Sequence, residues 1–586
     1  MSARLPTWNC ALLLLAGLSI GACEKPQVAG PGDSLPTPEL LETHCREMVG
    51  PPRVERISEH VWAAIGFDIA NTVLIHTPEG NVIVDVSCSP AEARTIKAAL
   101  EAEAPKGPVK AIVFTHSHID HVGGATVWAA EGVPIWGTDA LPVHLLKQYA
   151  LFLPIESLRG YRQFGRNVSA ANVPCSALGP RIEFDSMVES GMLLPTHTFS
   201  GQTVLEFGGL KIELVEAHGE THDQLFLWIP QDETIIAGDN FYWTFPNLYT
   251  LRGTSPRPVD DWIKSLDAMR RRNPAHLIPN HTKPIHGKQE IAQALTNYRD
   301  AIQWVRDEVV RGANRGLDVD TLAETIKLPE HLAEPHYNKE FYGQVDWSVR
   351  AIYANHLGWF DGRPEKIYTL PHGEVAAREV NLFGGPEKIM AMAADALAQG
   401  DPRWSIHLLA KLKDSGLARD SLAAELREML ARSYETLAAG VYNTNGRAYL
   451  LESAIELRDG PAEIIQAVLS ERFMAQIPLE HLLSLFGSTL DPGKALDVHE
   501  SLHFVFPDQN RRFIVTARRG IAEVVEGEPL PGTPDPVAVL TLDSLDFRKV
   551  VFKVVNPLSL YTQGKIKAEG SWIGALAFLR RFGSSG

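Results

Sequence analysis

Apolar residues along this chain fall into short runs of strand length separated by turn residues. From Val54 the runs are Val61 to Ile65, Thr72 to His76, then a Pro-Glu-Gly-Asn turn, Val82 to Asp85, and Val109 to Phe114. Runs of this length, bounded by turn residues, predict strands. Between the last two, Ala91 to Ala104 carries apolar positions at helical spacing and predicts a helix. Later runs at Leu225 to Ile229, Thr234 to Ala237 and Leu277-Ile278 extend the alternation over about 230 residues. The pattern predicts an α/β domain with αββα layers and functional loops at one edge of the sheets.

The periodicity then changes. Gly287 to about Gly312 reads as a long amphipathic helix, and Leu317 to Ala333 as a short helical pair. Four further helices are predicted at Pro386 to Gln399, Pro402 to Ser415, Asp420 to Ala439 and Arg447 to Leu457, in a hairpin repetition without a strict period. After Pro461 an apolar helix is expected at Ile464 to Leu469. Strands follow at Leu502 to Phe506, Arg512 to Ala517, Ile521 to Val525 and Val537 to Leu542, with helices near Leu545 to Val554 and Ser571 to Arg581. The expected domains are therefore an α/β domain over 49–300, an all-α domain over 301–458 and a C-terminal α+β domain over 461–586.

The first residues read differently. Arg4, an apolar run from Ala11 to Ile20 and the segment Leu18-Ser19-Ile20-Gly21-Ala22-Cys23 predict an export signal over 1–23. Small residues before the cysteine resemble a bacterial lipobox, which makes Cys23 an expected lipidation site anchoring the protein to a membrane. A periplasmic or envelope location follows from that reading, and residues 24–48 are expected to be a linker, Pro/Gly-rich to about Pro38. Composition changes the picture in two ways. At 586 residues with 45% apolar and 22% charged side chains, the chain is an ordinary multidomain globular protein. With 71 acidic against 55 basic residues, a net charge of -16 excludes nucleic acid as an expected partner, and an anionic substrate needs local cations. Cys45, Cys88 and Cys175 are odd in number and irregular in spacing, and are expected as thiols.

Candidate chemistry centres on Thr115-His116-Ser117-His118-Ile119-Asp120-His121-Val122-Gly123-Gly124, directly after a predicted strand. Three imidazoles and a carboxylate within six positions can divide between two adjacent metals, so the run reads as half of a two-metal hydrolase site. Its remaining ligands should lie on later strand ends. Three such stretches exist: Val215 to Gln224, containing His218, Glu220 and His222; Thr234 to Asn240, ending in Gly-Asp-Asn; and Leu277 to Thr282, containing His281. Asp85, at a strand end, is either an acceptor orienting a ligand histidine or a turn residue. After Asp239, the segment Phe241 to Arg257 is dense in aromatics and ends in Arg252 and Arg257, whose planar forks suit sulfate or phosphate oxygens.

The His-x-His-x-Asp-His run resembles the signature of the metallo-β-lactamase superfamily. That resemblance implies a ligand set: His116, His118 and Glu220 on one metal, Asp120, His121 and His281 on the other, and Asp239 with a hydroxide between them. Glu220 stands where the superfamily usually has a histidine, and His222, on the same face of an extended segment, is its alternative. His144, His197, His218 and His286 are left outside the set. Three carboxylates and a hydroxide balance two divalent ions, so the cluster is expected to be near neutral and to leave substrate attraction to arginines. Two zinc ions per subunit suit this ligand mixture in an exported protein.

Further residues narrow the resemblance to the bacterial alkyl sulfatases: Gly219-Glu220-Thr221, Gly238-Asp239-Asn240, Asn247 to Gly253, Tyr342-Gly343-Gln344-Val345 and Gly358 to Gly362. The resemblance covers nearly the whole chain after Met48. It implies a homodimer formed through the helical domain and a C-terminal domain of the sterol-carrier-protein type, whose apolar tunnel would recruit an alkyl chain. The expected activity is hydrolysis of a small amphiphilic sulfate ester to an alcohol and sulfate. The expected catalytic residues are Asp120, Arg252, Arg257 and Tyr342, and the substrate contacts add Tyr242, Asn247, Tyr249, Arg350 and Tyr353. A lactonase, β-lactamase or phosphodiesterase is the alternative enzyme, and an envelope lipid-binding scaffold the alternative that is no enzyme.

Overall fold

The computed structural model describes residues 35–148 and 152–583; the export signal, Cys23 and the first part of the linker lie outside the described residues. A seven-stranded sheet runs in the order Arg53–Arg56, Val61–Ile65, Thr72–Thr77, Gly80–Val84, Val109–Val113, Ile135–Thr138, His197–Phe199. Its first four strands are antiparallel neighbours and the remaining pairings are parallel. A six-stranded sheet faces it, in the order Ile285–His286, His276–Ile278, Thr234–Ile236, Leu225–Ile229, Leu210–Glu216, Gln202–Phe207.

The apolar runs show little polar alternation because both faces of these strands are buried. Val61 and Ala63 sit opposite Ile75 and Val73, and with Ile65 they pack in one core with Ile212, Leu214, Leu227 and Ile236 of the other sheet. The intervening residues Trp62, Leu74, Ile83 and Ile112 point the other way, under Ala93, Ile96 and Leu100 of the helix Pro90–Glu103. On the far side Phe226, Ile235 and Leu277 pack against Trp262, Leu266 and Met269 of the helix Val259–Arg271, and against Ile291, Leu295 and Ile302 of the helix Lys288–Asn314. These are the four expected layers. The domain boundary drawn between 300 and 301 falls inside the continuous 27-residue helix Lys288–Asn314, whose apolar face belongs to the sandwich.

In the helical region, Pro386–Ala398, Pro402–Ser415, Asp420–Ala439 and Thr444–Asp459 form as read, joined by two helices that the pattern did not predict, Val345–Leu357 and His372–Leu382. The C-terminal domain is a five-stranded sheet in the order Ile521–Glu526, Arg511–Arg518, His499–Phe506, Pro536–Thr541, Lys567–Gly570, covered by the helices Ser544–Val551 and Trp572–Leu579. Phe504, Phe506, Phe513, Phe547 and Phe578 fill the space between sheet and helices. The helix expected at Ile464 to Leu469 is instead extended chain, ending in Val468–Leu469, which pairs in parallel with Glu189–Ser190 of the sandwich. Six residues are too few to hold a helix alone, and the segment instead joins Glu189–Ser190 in a two-stranded sheet separate from the two large ones. The cysteines are a second correction: Cys45 and Cys175 form a disulfide across 130 positions, with Cα atoms 5.7 Å apart, while Cys88 is a buried thiol.

Candidate metal centre

Strand ends from both sheets deliver the candidate ligands to one edge of the sandwich. Val109–Val113 leads into His116 and His118, and the short helix Ile119–Val122 carries Asp120 and His121. Thr234–Ile236 is followed by Gly238, whose φ of +57° makes the left-handed turn that presents Asp239. His276–Ile278 leads to His281, and Glu220 lies on the loop entering Leu225–Ile229.

Asp85 organises the floor. Its Oδ1 accepts from the Thr115 amide at 2.8 Å; its Oδ2 accepts from Thr115 Oγ1 at 2.8 Å and from Asn280 Nδ2 at 2.6 Å, and lies 2.6 Å from His121 Nδ1. This fixes the His121 ring with Nε2 turned to the centre. There it lies 3.4 Å from Asp120 Oδ2 and 3.5 Å from Asp239 Oδ1. His281 is held the same way, Nδ1 donating to the Ile69 carbonyl at 2.6 Å and Nε2 lying 3.2 Å from Asp239 Oδ2 and 3.5 Å from Asp120 Oδ2. His116 Nε2 is 3.6 Å from Asp239 Oδ2 and 2.8 Å from His118 Nδ1.

The residues fit a two-metal site on two observations. Donor atoms fall into tight groups: His118, Glu220 and Asp239; Asp120, His121 and His281; and His116 with His121 and Asp239. Tetrahedral ligands with bonds near 2.0–2.1 Å stand about 3.3 Å apart, close to the 3.2–3.6 Å separations of Asp239 from His116, His121 and His281 and of Asp120 from His121 and His281. Second, His121 Nε2, Asp239 Oδ1 and Glu220 Oε2 are buried without a hydrogen-bond partner, which is costly unless another group meets them. Burial brings His116 down to about 3, so its ring is neutral and can offer a lone pair. Burial alone would raise Asp120, but the neighbouring His121 and His281 bring it to about 2.

The structure separates the expected substrate residues. Arg252 reaches the cluster, Nη2 lying 3.1 Å from His118 Nε2. It is held from two sides: Gln163 Oε1 accepts from its backbone amide at 2.7 Å, and the Gln148 carboxamide, oriented to accept, takes Nη1 at 2.7 Å. Arg257 is engaged on one side only, its Nε and Nη2 being buried without a hydrogen-bond partner. It is buried, with Nη1 2.5 Å from Glu220 Oε1, and acts as the counter-charge of that carboxylate. Burial raises Glu220 to about 7 against the opposing pull of Arg257. Tyr342 is buried beside the site, its hydroxyl 3.5 Å from Gln163 Nε2, and burial followed by the Glu220 charge pushes its pKa well up. Asn247 is buried with neither carboxamide atom partnered. Tyr242 forms a wall: its ring meets His281 edge-on at 6.2 Å and its hydroxyl accepts from the Asn247 amide. Tyr249 is half-buried on the same loop.

Two expected contacts are overturned. Arg350 is exposed and paired with Asp320 at 2.6 Å, and Tyr353 is a core residue packed with Val345, Val349 and Ile352. Both sit on the helix Val345–Leu357, whose buried face is formed by Val345, Ser348, Val349 and Ile352 with Tyr353 at its edge, and Arg350 lies beyond that edge in solvent. His222 Nε2 donates to the Pro256 carbonyl at 2.8 Å, outside the ligand groups, and His218 pairs with Glu216. Sequence reasoning missed Gln148, Gln163, Asn280 and Asp68. Asp68 accepts from the amides of Ile69 and Cys88 and is raised to about 6 chiefly by burial. None stands in a spaced pattern; only their contacts identify them.

Comparison with known proteins places these features in context. Residues 65–281 match the metallo-beta-lactamase superfamily, 318–460 alkyl sulfatase dimerisation and 467–580 the alkyl sulfatase C-terminal domain. A linear primary-alkylsulfatase from a Pseudomonas sp. is 32% identical over 529 residues, covering 87% of this chain and 98% of the relative. An (R)-specific secondary-alkylsulfatase from a Pseudomonas sp. is 26% identical, covering 86% and 77%. The solved structure of the sec-alkylsulfatase Pisa1 from Pseudomonas sp. shares the fold, with a TM-score of 0.86 and 23% identity over 94% of this chain and 87% of that one.

Proposed function

This chain belongs to the alkyl sulfatase family of the metallo-beta-lactamase superfamily, and from that premise we propose that it is a zinc-dependent alkyl sulfatase that hydrolyses amphiphilic sulfate esters to an alcohol and sulfate. The observation that carries the reading is Arg252: a guanidinium held by Gln148 and Gln163 with its tip 3.1 Å from a candidate ligand. Two zinc ions held by His116, His118, Glu220 and Asp239 on one side and Asp120, His121, His281 and Asp239 on the other would supply Lewis acidity and a water that deprotonates near neutral pH. Because Arg257 offsets Glu220, the ligand set is less anionic than a count of its carboxylates, which favours an anionic ester.

Arg252 then binds the sulfate oxygens as a fork and stabilises charge gathering on them. Tyr342, kept protonated, serves as a hydrogen-bond donor to the ester, and Asn247 offers the amide that nothing else satisfies. Homodimerisation is supported by apolar side chains exposed on one stretch of the helical domain, with Trp359 78%, Tyr368 94% and Leu382 85% exposed. Export is supported by the disulfide, since such bonds persist in oxidising compartments; anchoring through Cys23 belongs to the same reading.

The test is sulfate release from primary and secondary alkyl sulfates of graded length, with and without chelator. Release that a chelator abolishes and zinc restores is expected; no release from any ester, with turnover of a lactone, β-lactam or phosphodiester instead, would replace the assignment. Glu220→Ala is expected to lower bound zinc by about one ion per subunit, because it removes a ligand and leaves Arg257 unpaired. Elemental analysis finding two ions retained would remove Glu220 from the ligand set.

A further inference from the structure

The disulfide lies beneath one half of the metal centre, joined to it by a short, continuous chain of contacts. Cys175 opens a tight loop in which Ser176 Oγ and the Gly179 backbone bond each other and Ala177 takes a positive φ of 69°. The N-terminal segment grips this loop twice: covalently at Cys45, and through the adjacent His44, whose Nε2 donates to the Ala177 carbonyl at 2.7 Å. His44 is itself fixed, with Nδ1 2.9 Å from His336 Nε2 and its ring stacked on Phe341 at 4.1 Å.

From the loop the contacts run to His281. The Leu178 carbonyl accepts from the Thr282 amide at 3.0 Å, directly after the candidate ligand. Gly179 lies so close to Ile69 that a Cβ there would stand 2.4 Å from the Ile69 carbonyl oxygen. That oxygen is the acceptor that orients His281 Nδ1. Asn71 ties the same two segments, its amide donating to the Asn280 carbonyl and its side chain to the carbonyls of Pro279 and Thr282. Ile69, Ala177, Leu178 and Cys175 form one small apolar cluster with Leu41, Val49, Tyr242 and Tyr342, so the bond closes a core that also carries two tyrosines of the site.

We infer that the Cys45–Cys175 disulfide is a positioning device for His281, so that the half of the centre built from Asp120, His121 and His281 reaches its full metal affinity only when the bond is closed. The metal part of this rests on the proposed zinc reading; the positioning of His281 does not. Opening the bond leaves the N-terminal segment to hold the loop only through the His44 hydrogen bond and the packing of Leu41 and Val49. The Ile69 carbonyl and the Thr282 amide then lose the backing that holds the imidazole in line. Groups that orient a ligand in this way typically carry about 10–100-fold in metal affinity. Closure is a thiol–disulfide exchange in which a disulfide donor of an oxidising compartment accepts two electrons and two protons as the Cys45–Cys175 bond forms. A chain still in a reducing compartment would therefore hold one metal loosely.

The experiment uses the full chain stripped of metal, oxidised or treated with a dithiol, which becomes a cyclic disulfide as Cys45 and Cys175 become thiols. Amide hydrogen exchange followed by mass spectrometry is read at Ile69–Asn71 and Asn280–Thr282, with the C-terminal sheet at Arg511–Arg518 as internal control. Zinc is then titrated calorimetrically into both forms. Faster exchange at the two segments alone, with one of two zinc sites weakened at least tenfold and both effects reversed on reoxidation, is expected. A Cys45→Ser, Cys175→Ser double variant should behave as the reduced form. Unchanged exchange at those segments, or faster exchange with both zinc affinities intact, overturns the inference, as does a general loosening that includes the control sheet. If neither form binds zinc, the zinc reading fails, and exchange at Asn280–Thr282 still decides whether the bond positions His281.

Discussion

Arg252→Ala is expected to lower kcat/KM for an alkyl sulfate by about 10²–10³-fold, the scale of removing one preorganised donor from a developing charge, or roughly 2.7–4 kcal/mol of barrier. Zinc content should be unchanged, because a guanidinium has only donor N–H groups and no lone pair to offer a metal. The contact at stake is local: Nη2 stands 3.1 Å from His118, while Gln148 and Gln163 fix the side chain and its backbone. Arg252→Lys should recover only part of the loss, since an ammonium keeps the charge but not the fork. Steady-state kinetics beside elemental analysis checks both halves; an unaltered kcat and KM would take Arg252 out of the reaction.

Asp85→Ala is expected to act on stability and metal together. Four polar groups converge on this buried carboxylate: the Thr115 amide and hydroxyl, Asn280 Nδ2 and His121 Nδ1. Each left unsatisfied in a dry interior costs about 1–3 kcal/mol, and partial relaxation brings the expected total to roughly 3–5 kcal/mol. His121 would also lose the partner that turns Nε2 toward Asp120 and Asp239, so the metal it helps to hold should bind at least tenfold more weakly. Denaturant titration and zinc calorimetry read the two effects separately. Asp85→Asn, which keeps the shape and one acceptor, should spare most of the stability while still weakening the metal. A variant with wild-type zinc affinity would show that His121 needs no such support.

The two arginines behave differently although the sequence presents them alike, five residues apart on one loop. Arg252 projects to His118, whereas Arg257 turns under the loop to meet Glu220. Spacing along an irregular segment carries no directional information, because such a backbone has no period to assign a face. The helix Val345–Leu357 shows the complementary case. Its aromatic and cationic residues suggest pocket lining, yet its periodic apolar face is what packs on the sandwich, and that face claims Tyr353 and releases Arg350 to solvent. The cysteines failed for a third reason: a bond between positions 130 apart leaves no trace in local pattern.

By itself the sequence determined the layered sandwich, the edge where the loops converge and the residues from His116 to His121 that begin the candidate metal centre. Those features arise from interactions between near neighbours in the chain, strand runs buried on two faces and ligands clustered on one turn, and periodicity records them directly. Only the tertiary structure decided that Arg257 neutralises Glu220, that Gln148 and Gln163 aim Arg252, that Asp85 orients His121, and that Cys45 and Cys175 brace the loop behind His281. Each of these joins segments far apart along the chain, and their meeting is set by how the layers pack rather than by any order in the residues between them.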